Sequence, residues 1–374
     1  EKAKVHRRIA YFSMEVGVDP EMSTYSGGLG VLAGDTLKAA ADLGLPIVAV
    51  SLLNGKGYFA QSLDDAGNQQ ERPDAWDRAR FLQPVRRENI TESAEQTDIQ
   101  VAVTIEGRSV KVCAWQYDIV GATGFTVPLV FLDTDLEGND PWDRELTSCL
   151  YGGDDRYRLA QEVVLGVGGA RMLRAIGHNR INRFHMNEGH AALLVLELLG
   201  SSSAAPVWNF FGTRAECVFT THTPVPAGHD QFPYELVHRV LGMPLPEAIV
   251  KMLGGADRLN MTQLAMNASQ YVNGVAKRHA EVSRKMFPGQ NIHAVTNGVH
   301  SRTWTSDSFK ALYDHHIPGW NNDPSALRSV EGIPKEEIWA AHVQAKDQLA
   351  DEVQRRTGTV LDRNAFTIGF ARRA

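Results

Sequence analysis

Four short stretches of this 374-residue chain set glycine-rich or polar turns after runs of strand-forming residues. Ser26-Gly27-Gly28-Leu29-Gly30 is a glycine turn that opens a helical pattern. Its backbone N–H groups are free to donate and the absent side chains let a ligand reach the main chain, which suits a phosphate or a sugar hydroxyl. Residues 181–186 run into Asn187-Glu188-Gly189-His190, Cys217–Thr221 runs into a turn from His222 to His229 and Asp230, and 292–296 runs into Asn297-Gly298-Val299-His300. Other chemistries fit less well. The glycines match neither GxGxxG nor a P-loop. His185, Glu188 and His190 form HxxExH rather than a zinc motif, and a strand-to-helix switch falls between the two histidines. No GxSxG is present, and no pair of carboxylates is singled out by spacing.

These turns need a frame. Ile9–Ser13 is an apolar run of strand length, and Leu29, Leu32, Ala33, Leu37, Ala40 and Leu43 recur at helical spacing. Gly44 stands where a helix end takes a left-handed residue, and 47–53 reads as a second buried strand, completing a strand, glycine turn, helix and strand. Ile99, Val101, Val103 and Ile105 alternate with polar residues, Glu106-Gly107-Arg108 turns, and Val110, Val112 and Ala114 alternate again. This predicts a β-hairpin, with Thr126–Asp133 as the third strand of the patch. Asp154 or Asp155 caps a helix predicted to run unbroken to Ile176, in which Gly166, Gly168 and Gly169 permit close packing. Residues 64–97 are polar and irregular and carry no assignment. In a parallel α/β sheet ligands bind at the carboxyl ends of the strands, so Gly28, Leu29, His190, His222 and Asn297 are expected to line one cleft.

Composition narrows the partners. The length favours two domains, or one large and one partial, and 38 Lys plus Arg against 44 Asp plus Glu argues against nucleic acid or an anionic membrane as the main partner. Cys113, Cys149 and Cys217 are widely spaced, without CxxC, which fits a reducing compartment and no metal site. With no run of 18 apolar residues, a cytoplasmic location is the expectation.

In combination, Ile9-Ala-Tyr-Phe-Ser-Met-Glu15, Gly27-Gly-Leu-Gly30, His185-Met-Asn-Glu-Gly-His190, Thr221-His-Thr-Pro-Val-Pro226, Val272-Asn-Gly-Val-Ala276 and Thr296-Asn-Gly298 resemble the α-glucan (glycogen or maltodextrin) phosphorylases. They stand in that family's order, closest to its short bacterial type. The resemblance implies a GT-B fold of two facing Rossmann-like domains, here an N-terminal domain over 1–296 and an interdomain segment with the start of a second domain over 297–374. It implies retaining phosphorolysis of an α-1,4-glucan or maltodextrin by inorganic phosphate, releasing glucose 1-phosphate, with pyridoxal phosphate as cofactor and a homo-oligomer left open. By position, the amides of Gly28 and Leu29 meet phosphate and sugar, His222 and Asn297 hold the glucosyl 6-hydroxyl, Glu15 is a buried acid near the site, and Arg372 is a phosphate-binding cation. An imidazole and an amide can both donate to and accept from one hydroxyl without adding charge beside an oxocarbenium-like transition state.

Departures shape the expectation as much. The family's Schiff-base lysine follows a Gly-Thr-Gly-Asn-Met run that this sequence lacks, so no covalent cofactor attachment and no turnover are expected of residues 1–374 alone. The alternative readings are a non-catalytic glucan-binding module and an ADP-glucose-dependent glucan synthase; the latter needs a lysine where Tyr25 stands. Pro334 is expected to open a helix with Ile338, Ala341, Ala345, Leu349 and Val353 on one face. Residues 366–370 read as a strand without a sheet, hence disordered, docked, or used in self-association.

Overall fold

The computed structural model describes residues 6–87, 98–200, 209–242 and 246–370. They divide into two compact units, Glu1–Gly298 and Val299–Ala374. The first is α/β. Its strands are β1 (Ile9–Ser13), β2 (Ile47–Leu52), β3 (Ala60–Leu63), β4 (Gln69–Arg72), β5 (Gln83–Pro84), β6 (Val101–Ile105), β7 (Arg108–Val120) and β8 (Thr126–Asp133), followed by β9 (Arg183–Asn187), β10 (Cys217–Thr221), β11 (Gln231–Pro233), β12 (Arg258–Asn260), β13 (Tyr271–Gly274) and β14 (Ile292–Ala294). A 10-stranded sheet runs β14-β13-β10-β9-β1-β2-β8-β7-β5, with β6 paired to β7. It is parallel from β14 to β8 and antiparallel from β8 through β7 to β5 and β6. The hairpin patch is therefore an extension of the Rossmann-type sheet.

Strand alternation divides the core between the two faces. Ala10, Phe12 and Met14 join one cluster with Val48, Val50 and the segment 159–173, while Tyr11 and Ala49 face Ala33, Leu37 and Ala40 of the helix Gly28–Asp42. Gly44, at φ 65°, ends that helix in the left-handed conformation. From β1 the chain passes to β2 on one side, then later places β9 on the other. The β1/β9 seam is thus the topological switch point, where adjacent connections depart to opposite faces and leave a crevice at the carboxyl ends.

Several boundaries differ from the sequence reading. The helix opened by Asp154, whose carboxylate accepts from Tyr157 N, is α-helical over Asp155–Val163, widens to a π-turn at Val164–Gly168 and resumes at Gly169–Ala175. Two of its three glycines serve close packing, whereas a Cβ on Gly168 would make only ordinary contact with Val103 at 3.4 Å. A Cβ on Gly166 would stand 2.5 Å from Leu194 N and one on Gly169 2.7 Å from Phe12. The unassigned region contains β4, which pairs with the preceding β3 in an exposed hairpin, and its residues 88–97 lie outside the described set.

The second unit, in its described residues, is helical: Asp307–His316, a 3-10 segment Pro324–Gly332 and Lys335–Thr357 around Ile317, Trp320 and Ile333. The last helix starts after Pro334, as expected, but buries Ala341 and Ala350, and Leu349 is exposed. Residues 366–370 form no strand; Phe366, Ile368 and Phe370 are 90%, 80% and 88% exposed, because no neighbouring strand among the described residues pairs with their backbone.

Candidate active site

The parallel register aligns one polar residue per strand at the carboxyl edge. Ser13 of β1 pairs with Asn187 of β9, Asn187 with Thr220 of β10, and Thr220 with Asn273 of β13. All four are buried in positions that a parallel strand ordinarily gives to aliphatic residues. Buried polar groups require partners, and these partner one another. Ser13 Oγ donates to Glu15 O at 2.7 Å, Asn187 Nδ2 donates to Ser13 Oγ at 3.1 Å, and His222 Nε2 lies 2.7 Å from Asn187 Oδ1. With the Asn187 amide oriented by Ser13, its oxygen must accept, so His222 carries its proton on Nε2 and Nδ1 keeps its lone pair. Burial, with the imidazoles of His279, His185 and His190 nearby, brings the His222 pKa down to about 3, so the ring is neutral at physiological pH.

Glu188 sets the entry to this turn. It sits at φ 74°, a conformation costly for a residue with a side chain. Its carboxylate accepts from His222 N at 2.8 Å, Thr223 Oγ1 at 3.0 Å and Gly189 N at 3.1 Å. The end of β9 is thereby tied to the end of β10. Burial still raises the Glu188 pKa, against the pull of those donors.

Glu15 does the same for the glycine turn. Oε2 accepts from Ser26 N at 2.7 Å and Gly27 N at 3.2 Å, while Oε1 accepts from Tyr151 OH at 2.8 Å. Gly27 caps the helix Gly28–Asp42, whose first N–H groups have no intrahelical acceptor. A Cβ on Gly27 or Gly28 would meet nothing within 4 Å, so the space in front of the turn is open.

The sequence-derived residues divide as follows. Gly28 and Leu29 follow β1, His222 follows β10 and Asn297 follows β14, all at one edge; Asn297 N donates to Val275 O at 3.0 Å, and its residue is exposed, one strand beyond β13. No hydrogen bond joins Asn297 to His222 among the described residues. His190 turns inward rather than into the opening: it is buried, with Nε2 3.3 Å from Arg158 Nη2 and 3.4 Å from Asp230 Oδ2, and burial takes its pKa to about 4. Arg372 lies outside the described residues. The sequence reading gave no role to Asn187, Ser13, Tyr151, Arg158 or Asp230, although Asn187 and Asp230 stand in the polar turns it singled out. A polar residue ending an otherwise apolar strand was the available signal for the first two.

Comparison with known proteins agrees with this architecture. Residues 247–370 match the family model described as carbohydrate phosphorylase. Over 98% of its length the chain is 36% identical to a maltodextrin phosphorylase of Thermococcus litoralis, covering 46% of that protein. It is 34% identical to a glycogen phosphorylase of Mycobacterium tuberculosis and 30% identical to one of Aquifex aeolicus, again over 98% of this chain, covering 47% and 57% of those proteins. The chain thus spans about half the length of these curated relatives. Its motifs, its Rossmann-type sheet and these relatives agree: over nearly its whole length the chain is similar to about half of a maltodextrin or glycogen phosphorylase, and residues 247–370 match the carbohydrate phosphorylase family.

Proposed function

We propose that residues 1–374 supply the glucosyl-binding part of an α-1,4-glucan phosphorylase, which transfers a glucosyl unit to inorganic phosphate with retention and releases glucose 1-phosphate. Residues 1–296 would form the sugar-side domain and 297–374 the passage to a second, with the enzyme working in the cytoplasm. Among the described residues no helix is long and apolar enough to cross a membrane. The observation that carries the reading is the His222–Asn187–Ser13 chain at the switch point beside the glycine turn. A neutral imidazole whose Nε2–H is already committed offers Nδ1 as a fixed acceptor for a sugar hydroxyl, and Asn297 adds an amide from the same edge. Gly28 and Leu29 supply N–H donors at a helix start for phosphate or sugar oxygens, Glu15 holds that turn, His190 supports it from behind, and Arg372 adds a cation for phosphate.

Pyridoxal phosphate, the cofactor implied by the family, would supply a phosphate group capable of proton exchange if bound. The turns that carry Gly28, His190, His222 and Asn297 contain no lysine, so they do not fit covalent attachment of that group. Glucan phosphorolysis by residues 1–374 alone is therefore expected to be absent, while sugar contacts belonging to these turns persist.

Titration calorimetry of maltooligosaccharides against the 374-residue polypeptide tests the binding half. Wild type should bind weakly and His222→Ala about tenfold more weakly, the loss of roughly one well-placed hydrogen bond. Absence of binding, or binding indifferent to His222, would overturn the reading. Glucose 1-phosphate release, measured with added cofactor, should appear only in a chimera completed with the C-terminal part of a full-length relative. Turnover by the 374-residue polypeptide at the chimera's rate would defeat the proposed division of labour.

A further inference from the structure

Behind the glycine turn lies a second cluster of charge that the proposed reaction does not use directly. Glu162, on the helix Asp155–Val163, is fully buried, and among the described residues no N–H or hydroxyl donates to either of its oxygens. Its nearest cation, Arg158 Nε one turn earlier, is 3.7 Å away, beyond hydrogen-bond reach. The group that shares this cation with it is another acid: Arg158 Nη2 lies 3.1 Å from Asp230 Oδ2, so Glu162 and Asp230 converge on one guanidinium. Two buried carboxylates at one guanidinium repel unless one of them holds a proton. Asp230 already accepts from Arg158 Nη2 at 3.1 Å and has His190 Nε2 at 3.4 Å, so it is the better anion. The acid that holds the proton is then Glu162.

From Asp230 the contacts run without a break to the front of the site. Asp230 fixes the Arg158 guanidinium, whose centre lies 4.4 Å from the Tyr151 ring centroid. Tyr151, held at φ 55°, donates to Glu15, and Glu15 receives the amides of Ser26 and Gly27. We propose that Glu162 is a positioning residue: it carries the single proton of the Glu162–Asp230 pair and so keeps Arg158, Tyr151 and Glu15 in the arrangement that fixes the glycine turn. The importance of that turn for ligand rests on the function proposed above; the location of the proton does not. The charged groups facing Glu162 are Arg158 on its own helix and Asp230 on the loop after β10, with His190 one contact beyond. Desolvation drives its titration upward, and the Asp230 charge adds to this against the opposing Arg158. Ionisation of Glu162 would set two carboxylates against one guanidinium and strain the link at Asp230.

Infrared spectroscopy of the ligand-free 374-residue protein locates the proton. At neutral pH, well above the ordinary glutamate range, wild type should show the carbonyl band of a protonated carboxylic acid, and Glu162→Gln should lose that band. Hydrogen exchange then reads the positioning. With the intrinsic pH dependence of exchange removed, opening at the Ser26 and Gly27 amides should rise about tenfold per pH unit once the pair titrates, relative to amides of β2. Glu162→Gln, which keeps the donor and cannot ionise, should abolish that rise. Asp230→Asn should speed exchange at Ser26 and Gly27 but not in β2. A missing band in wild type, a band that survives Glu162→Gln, or turn amides whose protection ignores both variants would each overturn the proposal. No sugar enters these measurements, so failure of glucan binding would leave this inference standing, and failure here would leave the glucan reading intact.

Discussion

His222 and Asn187 carry different costs when altered. Asn187→Ala strands the buried Nε2–H of His222 and removes the donor to Ser13, so the denaturant midpoint should fall by the equivalent of about 1–3 kcal/mol. The imidazoles also set the acid side of the stability curve. His185 and His190 are brought to about 4, and His222 to about 3, chiefly by burial, whereas an unfolded histidine titrates near pH 6.5. Between those limits the unfolded chain binds more protons than the native one. Stability is therefore complete above about pH 6.5 and is lost as pH falls, at about 1.4 kcal/mol per pH unit for each histidine so held. Glu162 has the opposite sign. Its pKa is raised by burial, so the native state holds the extra proton and stability declines as pH rises from the ordinary carboxyl range through the raised value. Denaturation midpoints compared at pH 7 and pH 5 check the histidine effect, and a flat profile would contradict it.

The helix Gly28–Asp42 contains glycines of two kinds. Gly28 faces open space, and Gly28→Ala should leave stability within about 0.5 kcal/mol of wild type while weakening any ligand that approaches the turn. At Gly34 a Cβ would come to 1.8 Å from the backbone oxygen of Gly17, which follows β1. Neither backbone can yield cheaply, so Gly34→Ala should destabilise by about 1–3 kcal/mol or more. Thermal melts of the two variants distinguish ligand approach from packing; equal effects would show that the distinction is wrong. In sequence the two positions look alike. The same limit applies at Val164–Gly168, where helical periodicity continues through the π-turn because widening a helix by one residue hardly disturbs the apolar face.

At the scale of the whole chain, the second unit gathers its described core around Trp320, whose Nε1 donates to Asp314 at 2.8 Å, and leaves Phe366, Ile368 and Phe370 in solvent. Apolar side chains beside unpaired backbone are a template for pairing. The 374-residue polypeptide should therefore associate as its concentration rises, and Phe366→Ser with Phe370→Ser should reduce that association in sedimentation experiments. A wild-type chain that stays monomeric throughout would contradict this.

Local patterning was sufficient for the βα unit Ile9–Leu52, the hairpin as far as Ala114 though not its continuation to Val120, the turns after β9, β10 and β14, and the motifs that mark the family, because strand alternation, helical spacing and glycine placement act between near neighbours. Strand order was beyond its reach. That β9 returns to pair with β1, bringing Asn187 to Ser13 across 174 residues, depends on which apolar faces bury each other, and many orders would satisfy the same periodicity. Only the tertiary structure, therefore, turned His190 inward to Arg158 and Asp230, set Tyr151 on Glu15, and placed Glu162 against a second carboxyl group. Those pairings come from residues distant in the chain, and the burial that shifts their charges exists only once the sheet has closed over them.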